Sequence, residues 1–166
     1  AKLVGPDGLV VAFEPFPENY DYLLRHVALN RLQNVKPVQA GVGAKNEMAV
    51  FDVGGHSATG RKMQRGVGQL QFKVVNLIDF VREHKLRPPN LIKMDIEGAE
   101  EEVAPAILDY LVENKVKLLV STHSDAITKK LVDLLESRAY RVTPLQWSNL
   151  PDERRLDNAT LISAVP

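Results

Sequence analysis

Apolar positions along this chain alternate between short unbroken runs and stretches at helical spacing. Leu9 to Phe13 is the first unbroken run, which predicts a strand buried on both faces. Pro6-Asp7-Gly8 just before it predicts a turn, because proline fixes φ and glycine admits positive φ. The run stops at Glu14-Pro15, and Pro17 suits the first turn of a helix. Tyr20, Leu23, Leu24, Val27 and Ala28 then recur at helical spacing and predict an amphipathic helix ending near Asn30. Val35 to Val42 reads as a second strand, and Glu47 to Val53 and Leu70 to Leu77 as two more. Between those last two lies GGHSATGRKMQRGVG, which has no apolar period and reads as a long loop or a hairpin arm.

Leu77 to His84 predicts a short helix, closed by Pro88 and Pro89. Leu91 to Asp95 is the next strand and Ala99 to Leu111 the next helix, with Pro105 predicting a kink or a restart inside it. Lys117 to Thr122 is a strand, and Ser124 or Asp125 can cap the helix after it. Ile127, Leu131, Leu134 and Leu135 form that helix's buried stripe. Tyr140 to Trp147 and Thr160 to Val165 are the last strands. Their short, non-helical connection favours an antiparallel pair, since a parallel crossover needs about a dozen residues or more. Strand-helix alternation predicts an α/β fold: a mostly parallel sheet with helices on both faces, as one domain over residues 1–166.

Composition narrows the classes. A chain of 166 residues, 45% of them hydrophobic, can build one real core. Its 21 basic and 21 acidic residues cancel, which removes the usual electrostatic case for binding nucleic acid or a membrane surface. No apolar run approaches the roughly 20 residues of a membrane helix. Cysteine is absent, so a disulfide scaffold and thiol chemistry are excluded. A cytoplasmic location is the expectation. The first residue is not Met, and no signal peptide is recognisable.

Open parallel sheets bind ligands beyond the carboxyl ends of their strands. Glu14 ends the first strand, where a carboxylate can accept both hydroxyls of a ribose or simply face the positive end of the next helix. Asp95 and Glu97 follow the strand Leu91 to Asp95, two apart and on one face if the strand continued. Gly98 lets the chain turn away. Helix capping accounts for part of this acid cluster, and Glu100, Glu101 and Glu102 read as a solvated face. Asp95 is different, because an acid directly after an apolar strand needs a partner. His123 is a candidate base or a histidine that bonds nearby backbone. A metal site of Asp95, Glu97, His123 and Glu14 lacks any short ligand motif, so no metal is assigned. His26 and His84 fall on helices and read as structural. Residues 53–78 contain no acid but carry His56, Arg61, Lys62 and Arg65. They form either a basic loop that closes over an anionic substrate or a solvated hairpin tip.

Taken in order, VVAFEPFPENYDYLLRHVALNRLQNV, VQAGVGAKNEMAVFDV, VVNLIDFV and LIKMDIEGAEEEV resemble the FkbM-type methyltransferases. The segments FEPxPxNY and IKMDIEGAE carry most of the likeness, which covers nearly the whole chain and weakens after Ser124. The resemblance implies a Rossmann-like class I methyltransferase fold, an antiparallel C-terminal strand and S-adenosylmethionine as cofactor. It implies a small-molecule methyl acceptor, with a hydroxyl on a sugar or natural product. By the same resemblance Glu14 and Pro15 hold the cofactor's ribose, Gly41 and Val42 pass near its adenine, and Asp95 lies by its methionine end. Asp95 and His123 are then the candidate bases and Glu97 a supporting acceptor. Two departures stand out. The run Ser121-Thr122-His123 lacks the acid that usually precedes this histidine, and the family's first strand and Gly-rich loop are not in this sequence. An N-terminally incomplete domain is therefore expected. The alternatives are a non-catalytic binding module that kept the fold, and a nicotinamide-dependent oxidoreductase. The latter predicts G-x-G-x-x-G before Glu14, and the chain has no such run.

Overall fold

A computed structural model describes residues 1–52, 69–96, 98–145 and 160–166. Over these residues the chain divides into two units, Ala1–Asn76 and Leu77–Pro166.

The first unit opens with a 3-10 turn at Lys2–Val4, then β1 (Val10–Phe13), α1 (Pro17–Leu29) and β2 (Val35–Val38). β1 and β2 pair in parallel from Val10↔Val35 to Phe13↔Val38. Pro17 sits at the first position of α1, where its missing N–H leaves no bond unmade. The expected strand over 35–42 is broken. The Ala40 N–H bonds back to Val38 O at 3.0 Å, a three-residue turn around Gln39. Beyond the turn, β3 (Gly41–Gly43) joins another sheet, parallel to β5 (Gln69–Asn76), which pairs antiparallel with β4 (Glu47–Asp52). Asn46 Oδ1 accepts the Asn76 N–H, and Asn76 Nδ2 donates to Ala44 O, both at 2.8 Å. This bracket holds the β3–β4 turn against the end of β5.

Two burial expectations fail here. β1 is half-buried along its length rather than enclosed, and Leu9 lies outside it, 52% exposed. On α1, Leu24 and Ala28 face solvent while Tyr20, Leu23 and Val27 are half-buried. Among the described residues β1 has a single strand neighbour, β2, and a two-stranded sheet gives α1 a narrow surface to cover.

The second unit contains α2 (Leu77–Glu83), β6 (Leu91–Met94), α3 (Glu100–Glu113), β7 (Lys117–Thr122), α4 (Asp125–Glu136), β8 (Arg141–Leu145) and β9 (Thr160–Val165). Its sheet order is β6-β7-β9-β8. β6 and β7 run parallel, while β9 is antiparallel to both β7 and β8, the latter being the antiparallel pair expected for the last two strands. Val103, Ile107 and Leu111 of α3, Leu131 and Leu135 of α4, Val116 just before β7, and Leu118, Val120, Ile162 and Ala164 of the sheet form a core where none is more than 3% exposed. Each buried Val, Leu or Ile side chain among them contributes about 1.5–3 kcal/mol. α3 runs through Pro105 as one element instead of restarting. The proline falls in its second turn, where the lost bond is the one to the Glu101 carbonyl.

The four α-helices among the described residues end alike. The residue in the left-handed conformation is Arg31, Lys85, Lys115 or Ala139, with φ between 51° and 63°. Its N–H and the next one turn back to carbonyls of the last helical turn: Arg31 to Ala28 and Leu32 to Val27 after α1, Lys85 to Arg82 and Leu86 to Val81 after α2. Lys115 to Val112 and Val116 to Leu111 close α3, and Ala139 to Glu136 and Tyr140 to Leu135 close α4. These are Schellman endings without glycine, each followed by an apolar residue. Val116 and Tyr140 are buried at 0% and 3% exposure, so the ending drives the chain into the core just ahead of β7 and β8. Among the described residues, no helix is long and apolar enough to cross a membrane.

Candidate active site

β6 and β7 are parallel neighbours, and each delivers one polar residue just past its C-terminal end. His123 Nε2 lies 3.2 Å from Asp95 Oδ1. Lys93, two residues before Asp95 and so on the same strand face, places Nζ 2.6 Å from Oδ2. The partner that Asp95 was expected to need is thus twofold. Burial pushes its carboxyl upward, but the hydrogen bond and charge of Lys93, followed by those of His123, outweigh burial and hold it below the ordinary 3.8. An ionised carboxylate only accepts, so Nε2 carries the proton in this contact, and a neutral ring then has its lone pair on Nδ1. The acid missing from the run before His123 is supplied from the adjacent strand. The three side chains are 29–54% exposed, so water reaches the cluster.

Both strand ends are pinned by the helix that follows. Behind Asp95, Glu100 is fully buried, and its two oxygens accept the N–H groups of Ile96 and Gly98, each at 2.8 Å. This corrects the solvated-face expectation for Glu100. Glu101 does stay exposed and pairs with Lys130 of α4. Around His123, Ser124 caps α4, its Oγ accepting the Ile127 N–H at 3.2 Å. Thr128 donates its hydroxyl to Ser124 O at 2.9 Å and lies 2.6 Å from the hydroxyl of Thr122, which is fully buried. Sequence reasoning gave no role to Lys93, Thr122 or Thr128 and misplaced Glu100 on the surface. Only Lys93 had a visible signal, its spacing of two from Asp95.

In the first unit, Glu14 continues the ladder beyond β1, its N–H bonding Val38 O at 3.0 Å. Its Oε1 accepts the Phe16 N–H at 2.9 Å, which fixes the carboxylate at the entrance to α1. Among the described residues, Oε2 accepts no hydrogen bond. Pro15 lies in the same half-buried link. Gly41 and Val42 form strand β3 rather than loop. A Cβ on Gly41 would sit 3.1 Å from the Phe72 ring, and one on Gly43 would sit 2.4 Å from Val74. The two glycines therefore admit side chains of β5. Glu97, His56, Arg61, Lys62 and Arg65 lie outside the described residues. His84 is structural as expected: Nδ1 lies 3.0 Å from Phe80 O and the ring stacks on Phe80 at 4.0 Å.

A family model, the methyltransferase FkbM domain, matches residues 1–142. The chain belongs to that FkbM family. It is 28% identical over 165 residues to Methyltransferase 1 of Beauveria bassiana, covering 82% of this chain and 64% of that protein. It is 25% identical over 126 residues to the hexuronic acid methyltransferase AglP of Haloferax volcanii, covering 76% of this chain and 52% of that one. Among solved structures it matches the FkbM methyltransferase of Methylobacillus flagellatus with a TM-score of 0.69 and 21% identity, over 95% of this chain and 36% of that one. It matches precorrin-6y C5,15-methyltransferase of Geobacter metallireducens with a TM-score of 0.57 and 15% identity, over 97% and 68%. These structural likenesses fix the fold as α/β, Rossmann-like and of the class I methyltransferase type. The chain spans under two thirds of the Beauveria and Haloferax relatives. The FkbM match takes the place of the nicotinamide reading of Glu14.

Proposed function

We propose that this FkbM chain serves S-adenosylmethionine-dependent O-methylation of a hydroxyl on a sugar or similar small metabolite. The Asp95–His123 contact carries the reading, because a carboxylate-held imidazole at the end of parallel strands is a general base in the making. The Haloferax relative, named for hexuronic acid, supports the sugar class. Glu14 suits the cofactor: one oxygen is fixed by backbone and the other is available to a ribose hydroxyl. When bound, S-adenosylmethionine supplies an electrophilic methyl on a sulfonium.

The chain's own work is proton handling and orientation. An alcohol is too weakly acidic to lose its proton to water at neutral pH. Nδ1 of His123 would take that proton, and S-adenosylmethionine, with its ribose held by Glu14, would supply the methyl group to the acceptor oxygen. Asp95 then faces an imidazolium and stabilises it through Nε2–H. Lys93 keeps Asp95 ionised, so Asp95 orients rather than accepts the proton. Glu97 is proposed as a supporting acceptor beside the base, and the basic segment with His56, Arg61, Lys62 and Arg65 as the contact to the methyl acceptor.

The test is transfer of labelled methyl from S-adenosylmethionine to a panel of monosaccharides and uronic acids. Wild type should label at least one sugar, and His123→Ala should lose about 10²–10⁴-fold in turnover. Transfer unaffected by His123→Ala would remove the base assignment. No transfer and no cofactor binding would leave the binding-module reading.

A further inference from the structure

We infer that Glu100 is a positioning residue: its buried carboxylate, tied to the amides of Ile96 and Gly98, sets the turn that presents Asp95 to His123. The inference extends the methyl-transfer reading but rests on contacts that exist whether or not a methyl moves.

A carboxylate with 0% exposure is tolerated only where its oxygens are bonded. Both oxygens of Glu100 are bonded, and the choice of donors is the telling point. A capping-box glutamate reaches back to the N-cap amide of its own helix, here that of Ala99. Glu100 reaches past it to the amides of residues 96 and 98, while the Ala99 N–H bonds Ile96 O. The helix has other means of closure, since the Glu102 and Val103 amides both bond Ala99 O, at 3.1 and 2.9 Å.

The Ile96 N–H belongs to the peptide unit that begins at the Asp95 carbonyl. Holding it fixes ψ of Asp95, and so the direction in which the Asp95 side chain leaves the backbone. The Gly98 N–H holds the far side of the same turn, which Ala99 N–H closes on Ile96 O at 3.2 Å. Gly98 has φ +100, and nothing lies within 4 Å of the place a Cβ would occupy. Glycine is there for its dihedral angle, not for room. Glu100 thus stabilises a backbone shape that the sequence would not otherwise hold. That matters for Asp95, whose side chain is 36% exposed and whose contact with His123 competes with water.

The test reads the contact directly, without acceptor or cofactor. Protein carrying ¹⁵N-histidine is compared as wild type, Asp95→Asn and Glu100→Gln. Glutamine matches the size of Glu100 but sets an NH2 donor against one of the two amide donors, which each bond a separate oxygen of Glu100. The His123 ring nitrogens of Glu100→Gln should shift most of the way to the Asp95→Asn positions, with helical content retained. A folded Glu100→Gln protein whose His123 signals coincide with wild type overturns the inference. Should Glu100→Gln fail to fold, amide hydrogen exchange of wild type decides: Ile96 and Gly98 should exchange far more slowly than exposed loop amides. Exchange at loop rates overturns it equally.

Discussion

Asp95 and His123 meet at 3.2 Å although 28 residues separate them, because β6 and β7 are parallel neighbours that end at the same edge. The pair divides the work that either residue would do poorly alone. Asp95, held below the ordinary carboxylate range, is a weak base. His123 offers a lone pair on Nδ1 only if its tautomer is set by the bond at Nε2. Asp95→Asn should therefore lower turnover on the order of 10²-fold while leaving cofactor affinity close to wild type. A loss confined to affinity would show that Asp95 acts on the cofactor instead.

The same carboxylate links stability to pH. Its folded pKa is depressed below 3.8, so its contribution is fully present above that value and is lost as pH falls through the folded one. The stability gap between wild type and Asp95→Asn should be flat from neutral pH down to about 5 and shrink below about 4. Urea unfolding across that range checks the sign. A gap that widens on acidification would contradict the Lys93 and His123 partnership.

Two tyrosines of the second unit make opposite predictions. Tyr140 donates its hydroxyl to Val116 O at 2.8 Å in a buried setting. Tyr140→Phe leaves that carbonyl unsatisfied and should cost about 1–3 kcal/mol. The Tyr110 hydroxyl is buried with no hydrogen-bond partner among the described residues. Burial raises its pKa, with the charge of Arg82 opposing. Tyr110→Phe should be neutral or stabilising by up to about 1 kcal/mol. Chemical denaturation of both variants separates the two cases.

Lys115 sits at φ 53 in the ending of α3, just before the buried Val116. A left-handed conformation costs a residue with a Cβ roughly 1–2 kcal/mol, and glycine's greater freedom in the unfolded chain offsets about half of that. Lys115→Gly should stabilise the fold by about 0.5–1 kcal/mol. Urea midpoints of the variant and wild type measure it, and a destabilised variant would mean that the lysine side chain itself holds the ending.

Much of this was legible in residue order. The alternation of Leu91–Met94 with the pattern after Ala99 located β6 and α3, and an acid closing an apolar strand marked Asp95 as one in need of partners. Ser124 announced itself as a cap by type and place. What escaped notice depends on contacts distant in sequence or on backbone shape. Glu100 looks like its neighbours Glu101 and Glu102, and only the packing of α3 shows which of them is enclosed. The break at Gln39 has no proline or glycine of its own to mark it. Arg31, Lys85 and Lys115 are ordinary surface residues in a sequence, and their left-handed conformation shows only in the backbone. The exposure of Leu24 follows from how few strands α1 has beneath it, which periodicity cannot report.

The central claim is that an FkbM chain with Glu14 at the end of β1 binds an adenosyl cofactor through that carboxylate. Calorimetric titration of S-adenosylhomocysteine into the protein and its Glu14→Ala variant tests it most directly. Wild type should bind, and Glu14→Ala should bind about 10- to 100-fold more weakly, the loss of one or two charge-assisted hydrogen bonds. Equal affinity in the two would contradict the ribose assignment, and absence of binding in both would contradict the account as a whole.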